Sequence, residues 1–301
     1  MRKLILIAPM LVPAAARAHD VEAELAAGPI LGWGAEWWVL ALLASSLILY
    51  AAGLARLWPR ARGARRPLAR QAAWFGAGWA MLVLALASPL DGAGAYAFSA
   101  HMVQHEMLMI VAAPLLVLGR PLALWLWAFG RHARLAIADG TRRPGVRAAW
   151  GALTAPLNAW LLHFAALWMW HVPACFQLAL ADNAMHALQH TSFLASALLF
   201  WWAVLGREGG AHGRGGAIVY LFTTMMHTGA LGALFTMSGT VWYPLYANRA
   251  QLFGLTPLED QQLGGLIMWI PGGLAYLVAG LVLCARWLRP GPATRVAELR
   301  P

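Results

Sequence analysis

Residues 97–118, AFSAHMVQHEMLMIVAAPLLVL, decide how this chain is read. The stretch is apolar almost throughout, and crossing the hydrocarbon of a bilayer takes about 20 such residues. Inside lipid the backbone must satisfy its own hydrogen bonds, so a crossing segment of this kind is a helix. Two histidines, His101 and His105, and one carboxylate, Glu106, interrupt the apolar run. Ionisable groups at that depth are costly and mark function by default. Six more stretches have the same length and character: 35–57, 70–90, 149–172, 183–205, 216–237 and 261–288. The expected fold is therefore all-α, a polytopic membrane protein with a bundle of seven transmembrane helices.

Composition agrees. Hydrophobic residues make up 61% of the 301 residues and charged ones 11%, where a soluble domain has about 25% charged. So few charges exclude a soluble enzyme, a disordered chain and a nucleic-acid-binding module. The lipid bilayer is the expected surrounding. Cys175 and Cys284 are the only cysteines, too few for a disulfide framework or a thiolate zinc site. Seven helices suggest a retinal protein, but the only lysine is Lys3, so helix 7 has no Schiff-base amine.

The first residues read as a targeting signal. Arg2 and Lys3 precede a short apolar stretch, Leu4 to Ala16, and Ala16-Arg17-Ala18 fits a small-x-small cleavage site. The expected organisation is a signal peptide over 1–18, an external tail over 19–34, the helical domain over 35–288 and a cytoplasmic tail over 289–301. Cleavage would leave His19 at the new N-terminus, beside Asp20, Glu22 and Glu24, where the amine and the imidazole together suit Cu(II).

Charge gives the orientation. Six arginines lie in 56–70, six in 119–148, two in 206–215 and four from Arg286 onward, all on one side of the seven-span layout. After the signal peptide only Arg249 falls on the other side, which also carries Glu36, Asp91, Asp182, Glu259 and Asp260. Positive charge gathers in the cytoplasm. The expected topology is N-terminus outside and C-terminus cytoplasmic, in the bacterial inner membrane. Pro121 to Phe129 is too short to cross and is expected in the interface, while Pro114 and Pro271-Gly272-Gly273 should bend helices 3 and 7. The Gly-rich stretch 206–216 reads as a cytoplasmic turn.

The histidines carry the chemistry. His101 and His105 are four apart and share a helix face, and His186 and His190 repeat the spacing on helix 5. Both pairs start about four residues into helices that enter from the same side, and His171 ends helix 4 at that side. Five imidazoles therefore converge on the outer leaflet. One membrane histidine is commonly a hydrogen-bonded helix contact; two pairs at matched depth suit a metal ion held from facing helices, an axially ligated haem, or a proton relay. Met102, Met109, Met169 and Met185 accompany these histidines, and thioether with imidazole suits copper, especially Cu(I). Glu106 would orient a ligand histidine or join His163 and His227 on an inner path. No His-His doublet of an oxidase or desaturase occurs, and no catalytic constellation is evident.

Three stretches resemble one family. They are Ser99-Ala100-His101-Met102-Val103-Gln104-His105-Glu106 running on to Pro114-Leu115-Leu116-Val117-Leu118-Gly119-Arg120-Pro121; His171-Val172-Pro173 with His186-Ala187-Leu188-Gln189-His190; and Leu258-Glu259-Asp260-Gln261-Gln262-Leu263-Gly264-Gly265 running on to Trp269-Ile270-Pro271-Gly272-Gly273. Together they resemble the multi-spanning CtaG family, assembly factors for caa3-type cytochrome c oxidase. The resemblance implies a seven-helix bundle and a non-enzymatic role in oxidase maturation. It also implies copper delivery to haem-copper oxidase subunits and His101, His105, His186 and His190 as motif positions; a periplasmic copper donor is a further expected partner. A haem-binding electron carrier and a copper or proton transporter are the rival readings. Glu259 and Asp260, at the outer start of helix 7, are expected to help receive a cation or contact the oxidase.

Overall fold

Helices account for nearly all of the backbone because a single apolar segment in lipid satisfies its own amides only as a helix. The structure, a computed structural model, describes residues 32–205, 213–247, 249 and 253–288. The signal peptide, its cleavage after Ala18, His19, most of the external tail, most of the Gly-rich turn and the 289–301 tail lie outside the described residues. Among the described residues there is no strand.

The chain begins with α1 (Trp37–Leu57) and α2 (Arg65–Ala87). Ser88 then accepts from Leu90 N at 3.2 Å and caps the short α3 (Pro89–Gly94), with Pro89 in its first turn. The stretch that opened the sequence reading becomes α4 (Phe98–Glu106), a π-helical segment (Met107–Ala112) and α5 (Ala113–Gly119). Arg120 stops it in the left-handed region at φ 48. Three shorter helices follow: α6 (Pro121–Trp127), α7 (Arg131–Thr141) and α8 (Pro144–Leu153). After a 61° bend comes α9 (Pro156–His171), then α10 (Pro173–Ala181), α11 (Asn183–Leu205), α12 (Gly213–Thr236) and α13 (Pro257–Leu288).

Five of these elements are long and apolar enough to cross a membrane, and six if the bent pair α8–α9 is one span. They match six of the seven expected segments. The remaining expected segment folds as α2, whose apolar run is diluted by Arg65, Arg66, Arg70 and several glycines and tryptophans. The outward side chains of α1, such as Leu42 and Ile48, are exposed, as lipid-facing residues are.

Close approaches set the packing. A Cβ on Gly232 of α12 would lie 2.7 Å from the Gly265 carbonyl of α13, and one on Gly265 would lie 2.6 Å from the Gly232 carbonyl. Only glycine at both positions lets the two backbones touch, the usual device of membrane helices. Gly53 similarly admits the Leu124 carbonyl, so α6 packs along the last turns of α1. There Tyr50 Oη donates to Gly119 O and Trp125 Nε1 to Ser46 O, both at 3.0 Å. Pro114 falls in the first turn of α5, directly after the π-helical segment. Pro271 lies inside α13, which runs on through it as one helix.

Candidate metal centre

The site is positioned by caps. The Asp260 carboxylate of α13 accepts from Phe98 N at 2.6 Å and Ser99 N at 3.1 Å, the free amides at the start of α4. A buried carboxylate there satisfies orphan donors and complements the positive helix end. It fixes α4 one turn before His101. The Asp182 carboxylate accepts from Met185 N at 2.9 Å and starts α11 one turn before His186. Pro173 forces Val172 into extended backbone, which ends α9 at His171.

These helix ends bring five imidazoles together. One ring nitrogen from each of His101, His186 and His190 lies within 4.8 Å of the others. Ring centroids are 4.1 Å apart for His186–His190, 5.4 Å for His101–His186 and 5.6 Å for His101–His190. His105 stands beside this triad, 4.3 Å from His101 and 5.2 Å from His190, with its edge against Phe193. His171 is one shell further, 6.1 Å from His105. Ligand nitrogens at about 2 Å from a shared ion are separated by roughly 3–4 Å, so small ring rotations bring the triad to ligating distance.

The hydrogen bonds select the free nitrogen. His171 Nδ1 lies 2.7 Å from Leu167 O, and His101 Nδ1 lies 3.3 Å from Gly94 O. A carbonyl only accepts, so each Nδ1 carries the proton and each Nε2 keeps a lone pair. Tyr246 Oη donates to the same Gly94 carbonyl at 2.8 Å, and Tyr243 Oη donates to His171 O at 2.8 Å. Nε2 of His101, His171, His186 and His190, and both nitrogens of His105, are buried without a partner. Six orphaned imidazole nitrogens in one place are hard to account for as plain helix contacts, because unpaired buried polar atoms are costly. They fit a soft or borderline cation, which neutral nitrogen donors hold well.

The other expected site residues are placed elsewhere. The Met102 side chain is fully buried against α13, where a Cβ on Gly264 would meet its Cγ at 3.2 Å, and it packs in a cluster with Phe98. Glu106 is turned toward Gly272 of α13, where a Cβ would lie 3.0 Å from Oε2, and that oxygen has no partner. His163 bonds Ser196 Oγ at 3.1 Å and Tyr276 Oη at 3.5 Å. His227 packs against Trp160 and Phe164. None of these residues belongs to the triad. Cys175 packs at the edge of the core and is free. Of the two carboxylates at the start of α13, Glu259 is exposed and closes a capping box with Thr256, whereas Asp260 is buried at α4 and presents no surface to a cation.

Several functional neighbours were not singled out in the sequence. Gln104 and Gln189 are fully buried beside the pairs. Gln104 Nε2 donates to Asp91 Oδ1 at 2.6 Å and to Ala85 O at 2.7 Å. Burial and the nearby Glu36 raise the Asp91 carboxyl above its usual range, and the Gln104 bond partly offsets this. The legible signal was a shared pattern: both pairs read His-x-x-Gln-His, at 101–105 and 186–190. Tyr243 and Tyr246 flank and end a single 3-10 turn, Pro244–Tyr246, and had no such signal.

These features define a class: an all-helical protein of membrane character with a buried histidine centre at one end of the bundle. Within that class the chain belongs to the Caa3_CtaG family, cytochrome c oxidase caa3 assembly factors, whose family model matches residues 48–290. An uncharacterised protein of Mycobacterium bovis is 31% identical over 252 residues, covering 80% of this chain and 37% of its own length. One of Mycobacterium leprae is 28% identical over 264 residues, covering 83% of this chain and 38% of its own. The chain therefore spans less than two fifths of these relatives. No solved structure matches.

Proposed function

We propose that the protein binds Cu(I) at His101, His186 and His190 and passes it to a haem-copper oxidase subunit during assembly. The observation that carries this is the triad of imidazoles, His101 and His190 buried and His186 partly so, with unpartnered Nε2 atoms within reach of one ion. His105 and His171 are adjacent donors that can take part as the ion arrives or leaves. Transfer is ligand exchange and not catalysis: three neutral imidazoles hold a monovalent ion without a thiolate cage, so an acceptor with better-placed ligands draws it off. Family membership supports the oxidase as the destination.

The same reading includes the membrane layout. Seven spans, with α2 as the second and α8–α9 as the fourth, place the arginine-rich loops in the cytoplasm of a bacterial inner membrane. The histidine end then faces the exterior, where a periplasmic copper donor loads it. A cleaved signal peptide and an external N-terminus complete this topology.

The test is copper content and the visible spectrum of purified protein, with His101→Ala and His186→Ala. About one copper per chain in the wild type and at least a tenfold loss of affinity in either variant is expected. Copper bound equally by both variants contradicts the site. A haem absorption band at one haem per chain would point to the electron-carrier reading.

A further inference from the structure

A cavity of about 680 Å³ runs beside the triad, between α1 and α11. Its lower wall is apolar, formed by residues such as Leu108, Leu116 and Trp125. Its upper wall is polar: Glu36, Asp91 and Arg249 stand there with His101, His186 and His190. Glu36 is exposed at the start of α1, so it marks the rim. Arg249 is buried, and its guanidinium donates to Ala95 O at 2.9 Å. Two carboxylates against one guanidinium leave the mouth acidic. Asp91 is held in place by Gln104, the residue between His101 and His105 on α4.

We propose that the mouth formed by Glu36 and Asp91 is the entry route by which a monovalent copper cation reaches the triad. The proposal rests on the reading of the triad as a copper site. Two independent observations join in it. One is the acidic rim, which attracts cations and concentrates them locally. The other is that His101 and His190, more than nine-tenths buried and with Nε2 unpartnered, line the same cavity. The apolar lower wall, broken only by Ser46, offers a cation no charged group to replace its hydration. The polar end offers carboxylate first and imidazole next, an order of donors in which each step loses some water and gains a better ligand for Cu(I).

The experiment follows loading of the full-length protein in detergent, with Cu(I) supplied on a weak chromophoric chelator. The loading rate and the final copper stoichiometry are read separately. Glu36→Lys should slow loading at least fivefold at low ionic strength with stoichiometry unchanged, and added salt should shrink the difference. Ala35→Trp, which narrows the same rim, should slow loading at every salt concentration. Asp139→Asn, in the arginine-rich helix α7, should leave the rate alone. Wild-type rates in both Glu36→Lys and Ala35→Trp, with copper still bound at the triad, overturn the route and leave the copper site standing. Absence of copper uptake by the wild type overturns the copper site and the route with it.

Discussion

Tyr246 shows how much of the site depends on single hydrogen bonds. Its hydroxyl donates to the carbonyl that also receives His101 Nδ1–H, and lies 3.4 Å from that nitrogen. The pair of contacts holds the ring in the tautomer that leaves Nε2 free. Such supporting groups commonly change metal affinity by about 10–100-fold. Tyr246→Phe keeps the packing and removes the donor, so copper affinity should fall several-fold, as read by chelator competition, while the helical content is unchanged. Met102 is the opposite case. Its motif neighbours suggested a thioether ligand, but its side chain is packed into α13, so Met102→Leu should leave copper affinity as it is. Residue identity and spacing made the four histidines legible; side-chain direction, one residue along the helix, was not. Tyr246 was invisible for a different reason, because a single 3-10 turn of three residues is too short to show a periodicity.

At the level of elements, two contacts hold the histidine helices in register. Asp260 caps α4 from a helix more than 160 residues away in sequence, and loss of a cap costs about 0.5–2 kcal/mol. Asp260→Ala also leaves buried amides unpaired, so thermal unfolding in detergent should shift downward and copper affinity should fall with it. The glycine contact of α12 and α13 is less forgiving. Gly232→Leu forces the helices apart at Gly265, and overpacking typically costs about 1–3 kcal/mol; a lower unfolding temperature is the expected result. The long helices were readable from hydrophobic length, whereas the short α3, α7 and α10 fall in stretches that length leaves as connections. The π-helical segment after Glu106 was not readable either, since a run such as Met107–Ala112 looks the same in either winding. There Trp201 Nε1 meets the Met109 carbonyl at 2.9 Å, a partner for a carbonyl in this irregular stretch. The role of Asp260 was also misread, because a carboxylate at a helix start looks like a surface charge until the facing helix end is seen.

For the whole molecule, the charge distribution and the bundle make one statement about orientation. In the proposed seven-span layout nearly all basic residues fall on the side opposite the histidines. In a cysteine-free background, Arg62→Cys should react with a membrane-impermeant thiol reagent only from the cytoplasmic side, and Ala95→Cys only from the exterior. The reverse pattern would invert the proposed topology. The central claim is the copper site itself, and X-ray absorption of the Cu(I)-loaded protein tests it most directly. The expected first shell is nitrogen alone, at about 2 Å with imidazole outer-shell scattering, and it should be lost in His186→Ala. A sulfur shell, or a spectrum unchanged by that substitution, would contradict the account.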